Sequence, residues 1–421
     1  MKKNKIFISI ASYRDPELIP TIENCIANAK NPRNLVFGIC RQFSEADKFD
    51  DLSKYQKRKS FKIIDIPYKK SLGVCYARNK IQELYDGEEY HLQLDSHHRF
   101  VQDWDLKVKD CLNKLKKDGY EKPILSSYLP SYDPQHPTED RLDDLWRTYI
   151  DRFMPEGPIF IFPETIQGWK NTDDPEKARF LSGHFIFSFG NFITEVPYDP
   201  NLYFHGEESS LAVRAFTHGF DMFHLPKPWV YHHYGRDKDA RHWDDDPKWV
   251  KLNNASFKRY KELLGMDGLK RKHLPKFGLG KERSLQDYEK YSGIRFKDRK
   301  IHQAAIDRIP PPVPYKNKKD FESKFVSEFK YCIDLDKNLF PEDDYDVWVI
   351  AFKDQNDNEM CRLDAEREEV QQLLNGDPND HFVRLWRSFE TSILPAKWLV
   401  WPHSDSKGWK DIIEGGIPIN V

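Results

Sequence analysis

The chain has 421 residues, of which 39% are hydrophobic and 32% are charged, a balance typical of a soluble globular protein and not of a disordered one. This length exceeds that of a usual single domain, so we expect two domains with ample core. The formal net charge of −2 provides no overall field that would attract nucleic acid or an anionic membrane, so an anionic ligand would need a local site.

Strand-like and helix-like segments alternate through the first half of the chain. The predicted strands are KIFISIASY, NLVFGIC, FKIIDIPY and EYHLQLDSH, and the helical segments between them are DPELIPTIENCIANA and GVCYARNKIQELYDG. This alternation predicts βαβ units and a parallel sheet. Ligands of such sheets gather at the carboxyl ends of the strands. Polar clusters follow three of the predicted strands at those ends, at residues 12–15, 41–42 and 95–97.

Later elements are less regular. A helix is predicted over residues 104–117 and a strand at PILSSYLP, followed by a loop-rich, proline-rich section that extends to residue 163. The pattern then predicts a strand at RFLSGHFIFSF, a helix at GEESSLAVRAFTHGF and a final strand at DMFHLPKPWVYHHYGR. Residues from about 249 to 309 are predicted to be helical and basic.

The segment IPPPVPY, residues 309–315, is stiff and rich in proline, and we interpret it as a linker. It would separate a larger domain of residues 1–308 from a small accessory domain of residues 316–421. In the second domain, YDVWVIAFKD, EMCRLDA, HFVRLWRSFE and KWLVWP are strand-like runs between turn residues. We therefore expect a small β-rich domain of unknown role.

The cysteines indicate the compartment. The six cysteines are widely spaced, and Cys25, Cys40 and Cys75 lie in apolar surroundings, which favours buried thiols of a reducing compartment over a disulfide framework. The apolar run at residues 6–11 is too short for the core of a signal peptide. No run approaches the roughly 20 apolar residues that span a bilayer. We expect a cytoplasmic protein without a transmembrane segment.

Asp95 and His97 stand two residues apart after the fourth predicted strand. In an extended chain such residues point the same way, so a carboxylate and an imidazole would converge and could begin a divalent cation site. Asp-Ser is also a common turn signal, which leaves a solvated turn as the alternative. His232 and His233 end another predicted strand, and either could complete the site. Oxygen and nitrogen ligands with open positions suit Mn²⁺.

Three further clusters have both a functional and a structural interpretation. Arg78 lies one turn inside a helix that a glycine precedes, where it could bind a diphosphate or be a solvated charge. Gly183 and His184 interrupt an apolar strand, which either close approach of a ligand or a β-bulge would explain. Glu207 and Glu208 precede a helix, where they favour its dipole or position an acceptor or sugar hydroxyl.

Four segments carry a family resemblance. Together they resemble the cytoplasmic hydroxyproline N-acetylglucosaminyltransferases and their bacterial relatives. The four segments are, in chain order, FISIASYRDPE, SLGVCYARN, EEYHLQLDSHHRFVQDWD and HGEESSLAVRAFTHGFD. The order also resembles, more distantly, the mucin-type polypeptide GalNAc-transferases, which share a D-x-H metal motif, a G-E-[EN] helix start and a later strand histidine. The resemblance covers roughly residues 5–294, and the chain after residue 315 lies outside it.

The resemblance implies an α/β fold of the GT-A type, with a nucleotide-binding mixed sheet flanked by helices and a metal at the end of the fourth strand. It implies Asp95, His97 and His232 as ligands of Mn²⁺ or another divalent cation. His232 is preferred to His233 because it directly follows the V-Y pair. The D-S-H sequence departs from the commoner D-x-D, so nitrogen ligation of the metal is an expectation to test.

The resemblance also implies roles around the donor. Glu207, Glu208 and Arg78 would be the catalytic residues, with the glutamates flanking donor sugar and acceptor and the arginine beside the diphosphate. UDP-GlcNAc is the implied donor, and the outcome would be retention of anomeric configuration. The residues expected to contact the nucleotide sugar are Ser12, Tyr13, Arg14, Arg78, Asp95, Ser96 and His184.

The sequence therefore predicts a metal-dependent transfer of GlcNAc from UDP-GlcNAc to a hydroxyl of a glycan or protein, with no nucleic-acid partner. One alternative is a non-catalytic protein that binds a nucleotide sugar or glycan. The other is a metal-dependent hydrolase, which would need a second base or metal beside the first. In the C-terminal part, tryptophans would form the core or, less favoured, bind an acceptor glycan; they are Trp348, Trp386, Trp398 and Trp401.

Overall fold

The computed structural model describes residues 2–236, 239–377, 380–391 and 395–417. The part up to residue 326 contains, in chain order, β1 (Lys2–Tyr13), α1 (Leu18–Ala27), β2 (Leu35–Phe43), β3 (Phe61–Pro67), α2 (Val74–Gln82), β4 (Glu88–Leu94), β5 (His98–Phe100), α3 (Trp104–Lys117), β6 (Pro123–Leu125), β7 (Trp146–Phe153), β8 (Ile159–Thr165), β9 (Phe185–Phe189), α4 (Asn191–Glu195), α5 (Glu207–Thr217), β10 (Asp221–Phe223), β11 (Val230–His232), α6 (His242–Asp245), α7 (Trp249–Leu264), α8 (Leu285–Ser292), β12 (Ile294–Arg295), β13 (Lys300–His302), α9 (Gln303–Ile306), α10 (Lys318–Glu322) and β14 (Phe325–Val326). The part that follows contains β15 (Glu328–Asp336), β16 (Tyr345–Lys353), β17 (Glu359–Arg362), β18 (Ala365–Glu366), α11 (Arg367–Leu374), β19 (Phe382–Glu390), β20 (Lys397–Ser404), β21 (Gly408–Trp409) and β22 (Ile413–Gly416).

The first part is built on a seven-stranded sheet in the order β10-β6-β9-β4-β1-β2-β3. All neighbouring strands are parallel except β9, which runs antiparallel to both β4 and β6. Residues 6–11 of β1 are all buried and, apart from Ser9, all apolar, as expected of a central strand covered on both faces. One face packs against α1 and α3, and the other packs against α2 and α4.

This arrangement confirms the predicted fold class, a mixed sheet flanked by helices with a smaller β-rich part after it. The first four predicted strands are β1 to β4, and the predicted helix over residues 104–117 is α3. The antiparallel strand β9 was contained in the predicted strand RFLSGHFIFSF, but periodicity alone gave no direction for it. Parallel strands thus bring the ends of β1, β2 and β4 to one edge of the sheet.

Two sequence predictions are wrong in detail. The section predicted to be loop-rich contains the hairpin β7–β8, because Ile150, Phe153 and Ile159 supply an apolar face that packs into the core. The final strand predicted at DMFHLPKPWVYHHYGR is two short strands in different sheets. β10 pairs with β6, whereas β11 pairs antiparallel with β5, and the two prolines between them cannot donate ladder hydrogen bonds.

The region predicted to be helical from residue 249 is only partly so. It contains α7 and α8, but β12 and β13 follow and form a three-stranded sheet with β14. Residues 309–315 are partly packed against this region, with Pro311 and Val313 buried and Ile309 and Tyr315 exposed. Val313 is buried beside Ala304 and Phe321, and its N–H donates to the carbonyl of Tyr291 at 3.0 Å. The division at residues 309–315 stays a prediction, and these contacts favour a boundary after β14.

The C-terminal part is β-rich, as predicted. β15 and β19 form an antiparallel ribbon, and β16 pairs with β17, β18 and β20 in a second sheet. Their inward residues form a separate core around Trp348, which is fully buried. Trp386 on β19 is 42% exposed. An ion pair joins the two parts, with Lys330 Nζ of β15 2.7 Å from Asp151 Oδ1 of β7.

Candidate active site

Asp95, His97 and His232 meet at the carboxyl edge of the sheet. Asp95 directly follows β4, and the antiparallel pairing of β5 with β11 places His232 opposite His98. His232 Nε2 lies 3.6 Å and His97 Nε2 lies 3.9 Å from Asp95 Oδ2. One ligand atom from each of the three residues falls within a span of 4.8 Å. The edge therefore presents one oxygen and two nitrogens to a common point.

The two oxygens of Asp95 have different partners. Arg78 Nη2 donates to Oδ1 at 2.6 Å, which leaves Oδ2 facing the two imidazoles. Arg78 also donates through Nη1 to Glu207, so its guanidinium bridges two carboxylates. Burial alone would raise the pKa of Asp95, but the positive charge of Arg78 and the nearby His232 lower it well below its usual range. Asp95 is therefore an ionised carboxylate, the form that a cation needs.

His97 is held by Asp15, a fully buried residue just after β1. Asp15 Oδ2 lies 2.7 Å from His97 Nδ1 and also accepts a hydrogen bond from Ser96 Oγ. Burial alone would raise the pKa of Asp15, but His97 and Arg236 lower it below the usual range. An ionised Asp15 fixes the Nδ1–H tautomer of His97 and points Nε2 at the common point, the arrangement of metal-ligating histidines with a supporting carboxylate.

His232 is buried, and neither of its ring nitrogens has a hydrogen-bond partner among the described residues. Burial lowers its pKa well below the usual value, so the ring is neutral and its lone pair is free to bind a cation. His233 lies elsewhere. Its N–H donates to the carbonyl of His97 and its ring lies beside Tyr132, 5.9 Å away between centroids. The structure thus brings His232, and not His233, to the site.

The cluster lies between two clefts, and Asp95 lines both. The first cleft extends over the ends of β1 and β2, where Tyr13 and Ser96 line it together with Tyr203 and Trp243. Two expected contacts lie away from its surface. Ser12 is fully buried, and Arg14 is paired with Asp47 at 2.7 Å and Asp245 at 2.9 Å. The lining of the first cleft therefore combines flat aromatic rings with the polar ends of two strands.

The second cleft contains the other predicted residues. It is lined by Arg78, His184, Glu207, Glu208 and His232, with aromatic rings of β8 and of the segment after β11. Glu207 Oε1 accepts from Arg78 and from the hydroxyl of Tyr198, at 2.8 Å for the latter. His184 Nε2 accepts the N–H of Leu129 at 3.1 Å. Both side chains therefore have protein partners already.

Glu208 differs from its neighbour. Its Oε1 accepts a hydrogen bond from the N–H of Gly183 at 2.7 Å, and burial raises its pKa to about 7. Gly183 itself serves a packing need, because an added Cβ would lie 2.9 Å from both Arg78 Nη1 and Glu207 Oε1. The glycine thus leaves room for a buried ion pair; it also lines the second cleft, so the close approach of a ligand stays a prediction.

Comparison with protein families matches this chain to the family described as Glycosyltransferase (GlcNAc), over residues 5–60 and 48–298. The chain belongs to that family. The match covers the seven-stranded sheet from residue 5 onward and includes Asp95, His97 and His232 at its edge, and it confirms the predicted GlcNAc-transferase family. The chain is accordingly a glycosyltransferase, an enzyme. A comparison with curated protein sequences finds no match for it.

Solved structures similar to this glycosyltransferase include two transferases of low sequence identity. One is GalNAc-T7 with UDP, GalNAc and Mn²⁺, at 15% identity and a TM-score of 0.46, covering 62% of this chain and 48% of that chain. The other is Staphylococcus aureus TarS 1-349 in complex with UDP-GlcNAc, at 13% identity and a TM-score of 0.38, covering 63% of this chain and 68% of that chain. This chain thus spans about half the length of the GalNAc-T7 chain.

Several residues of the site escaped the sequence interpretation. Asp15 stands in the polar cluster after β1, but its partner His97 lies 82 positions later, so no local pattern reveals the contact. Tyr128 and Tyr234 of the second cleft have rings stacked 5.3 Å apart, from segments that the sequence separates by more than 100 residues.

All six cysteines lie in the described part of the chain, and none of them is in a disulfide. The described helices include none that is both long and apolar enough to cross a bilayer.

Proposed function

We propose that this glycosyltransferase transfers GlcNAc from UDP-GlcNAc to a hydroxyl of a glycan or protein, in a metal-dependent reaction that retains the anomeric configuration. The observation that carries the proposal is the convergence of Asp95, His97 and His232 between two clefts, in a chain of the glycosyltransferase (GlcNAc) family. A cluster placed between two clefts suits a reaction in which the nucleotide lies on one side of the metal and the transferred sugar meets its acceptor on the other.

The ligand atoms at this site support binding of Mn²⁺ or another divalent cation. Asp95 Oδ2 is free of Arg78, His97 Nε2 is oriented by Asp15, and neither ring nitrogen of His232 has a hydrogen-bond partner in the described chain. One carboxylate oxygen and two imidazole nitrogens, with positions left for other ligands, fit a cation that also prefers phosphate oxygens. When bound, the metal would supply positive charge that stabilises the diphosphate as it leaves.

The two clefts would then have separate tasks. The first would hold the nucleotide, with Tyr13 and Ser96 from the expected donor contacts and the rings of Tyr203 and Trp243 beside it. The second would hold the donor sugar and the acceptor, among Glu208, His184 and Arg78. The hydrogen bond of Arg78 to Asp95 supports a positioning role toward the metal ligand, in addition to its charge near the leaving group.

Between the two glutamates, Glu208 is the better candidate to orient the acceptor hydroxyl. Glu207 already accepts from Arg78 and Tyr198, whereas the remaining carboxylate oxygen of Glu208 is not engaged by the Gly183 N–H. A pKa raised to about 7 by burial leaves Glu208 poised between its two protonation states near neutral pH. It would hold the acceptor hydroxyl and accept its hydrogen bond.

The decisive experiment measures UDP release from a panel of UDP-sugars with and without a chelator. We expect release from UDP-GlcNAc to stop on chelation and to return with Mn²⁺. Asp95→Ala should abolish that release in a protein that still unfolds cooperatively, although the loss of one partner of the buried Arg78 lowers its thermal unfolding midpoint. Undiminished release in the presence of chelator would refute metal dependence, and a preference for another UDP-sugar would reassign the donor.

Two further expectations belong to the proposal. We propose a cytoplasmic location, which six unpaired cysteines support because free thiols persist in a reducing compartment. We also propose that the catalytic domain extends through β14 to residue 326 and that an accessory domain follows it. A chain ending at residue 327 should unfold cooperatively and release UDP, whereas one ending at residue 308 lacks the buried Val313 and Phe321 and should be unstable.

A further inference from the structure

The hairpin β7–β8 has an outward face that carries two aromatic rings, one partly buried and one exposed. Phe160 and Phe162 stand two residues apart in β8 and so share one face, whereas Ile159 and Ile161 on the other face pack into the core. The two phenyl rings lie 5.3 Å apart between centroids, and Phe162 is 42% exposed. Phe160 also lines the second cleft, where the proposed acceptor site lies. The aromatic face therefore begins at that cleft.

The aromatic face of the hairpin continues onto the C-terminal part of the chain. Arg152 of β7 places its guanidinium 4.4 Å from the ring centroid of Phe160 and 4.8 Å from that of Trp386. Trp386 is 42% exposed, because β19 turns Val383 and Leu385 into the core and leaves the alternate positions outside. Together Phe162, Phe160, Arg152 and Trp386 form a continuous surface that we call the aromatic ledge.

Ion pairs hold the ledge in one geometry. Asp151 forms a salt bridge with Arg152 and a second with Lys330, whose Nζ lies 2.7 Å from Asp151 Oδ1. The Lys330 Nζ also lies 5.4 Å from the ring centroid of Trp386. Because Lys330 belongs to β15 and Asp151 to β7, these contacts cross between the catalytic and C-terminal parts. The ledge is thus a fixed surface shared by the two parts.

We propose that the aromatic ledge binds the chain of a glycan acceptor, in the sugar units next to the one that receives the transferred residue. This inference rests on the proposed transferase function and adds the class of acceptor to it. Continuity with the second cleft favours this occupant, because a ligand on Trp386 that also passes Phe160 leads directly into the cleft that contains Glu208.

The chemistry of the surface also favours a glycan. An aromatic face is electron-rich, so the C–H bonds on the flat side of a pyranose pack against it favourably. The Arg152 guanidinium and the Lys330 ammonium beside Trp386 can donate hydrogen bonds to sugar hydroxyls. Exposed rings of this kind, grouped instead of scattered, mark a binding surface. The acceptor would accordingly be an oligosaccharide or polysaccharide and not a monosaccharide.

The test uses the full-length protein with Mn²⁺ and UDP and four probe series, namely cello-, xylo-, chito- and malto-oligosaccharides from the disaccharide to the hexasaccharide. Calorimetry measures their affinity for wild type, Trp386→Ala and Phe162→Ala. Trp409→Ala is the matched control, since Trp409 is 47% exposed in the same C-terminal part but packs against Trp401 and His403, away from the ledge residues. Thermal unfolding midpoints check that each variant is folded.

For wild type we expect affinity to rise with chain length in at least one series. Trp386→Ala should lower the affinity for the hexasaccharide about tenfold, the scale of one aromatic contact, and should lower the affinity for the disaccharide less. Phe162→Ala should also lower the affinity for the hexasaccharide, and Trp409→Ala should bind it with the affinity of wild type. The proposal is wrong if no series gains affinity with length, or if Trp386→Ala keeps the full gain and loses only thermal stability.

Two outcomes separate this proposal from others. The ledge would instead serve a protein acceptor if a serine-rich peptide bound in a Trp386-dependent way and no oligosaccharide series did. That result would contradict the proposal of a glycan acceptor. Absence of metal-dependent UDP release from UDP-GlcNAc would overturn the proposed function. Length-dependent glycan binding measured by calorimetry would remain interpretable in that case, because it requires no turnover.

Discussion

Asp15 provides the sharpest test of how the site is built, because it touches His97 without belonging to the ligand cluster. In Asp15→Asn the side chain keeps its size, but an amide replaces the carboxylate. In wild type, Asp15 Oδ2 accepts hydrogen bonds from His97 Nδ1, at 2.7 Å, and from Ser96 Oγ. An amide offers one oxygen and one N–H₂ group, so it cannot accept from both partners and from the N–H of Glu17, which now donates to Oδ1 at 2.8 Å.

The expected loss can be estimated from that geometry. Removing the carboxylate that orients a metal-ligating histidine costs about 10- to 100-fold in metal affinity, which corresponds to about 1.4–2.7 kcal/mol. Mn²⁺ binding is measured by calorimetry in the absence of substrate, and thermal unfolding reports whether the variant is folded. Asp15→Asn should weaken Mn²⁺ binding by this factor, and UDP release from UDP-GlcNAc should require correspondingly more Mn²⁺.

The matched control is Asp47→Asn, which removes a partly buried carboxylate near the same strand end. Asp47 pairs with Arg14 at 2.7 Å and not with a histidine of the site, so its loss should leave Mn²⁺ affinity near wild type. Wild-type Mn²⁺ affinity in a folded Asp15→Asn protein would refute the reasoning, since His97 would then be oriented without its carboxylate. An equal loss in both variants would point to a general charge effect.

Three further predictions concern neighbouring residues. His232→Ala should abolish Mn²⁺ binding and UDP release while His233→Ala keeps both; full activity of the first variant would move the third ligand elsewhere. The pKa of Glu208 is raised from 4.5 to about 7 by burial, so ionising it destabilises the fold as pH rises through that range; Glu208→Gln should gain thermal stability over wild type there, and a pH-independent difference would count against the shift. Gly183→Ala should destabilise by about 1–3 kcal/mol in chemical denaturation because its Cβ meets the buried ion pair of α2 and α5, whereas Gly376→Ala, with only ordinary contacts, should stay near wild type.

The regular elements of the fold could be predicted where periodicity was strong. β1 to β4 have apolar runs of strand length, and α3 has apolar residues at helical spacing, so local sequence sufficed. The hairpin β7–β8 could not be predicted in the same way. Its prolines suggest loops, and the residues that hold it, including Ile150 and Phe153, are stabilised by a core contributed from α5 and α7. Tertiary packing decides such segments.

The site was predictable to the extent that its residues stand at strand ends. Asp95 and His97 could be placed because β4 and the parallel topology dictate where the strand finishes. Arg14 was misplaced relative to the cleft, because its two carboxylate partners lie in distant segments that no local pattern connects. The sequence offered Trp386 as one of four possible glycan contacts, but it did not reveal the aromatic ledge, since Phe160 and Trp386 are more than 200 residues apart and are joined through Arg152.

Anomalous diffraction from a crystal soaked with Mn²⁺ and UDP addresses the central claim most directly. We expect one manganese peak bounded by Asp95 Oδ2, His97 Nε2 and His232 Nε2, with the uracil and ribose of UDP in the first cleft. A manganese peak at another position, or UDP bound with no metal beside these three side chains, would contradict the account.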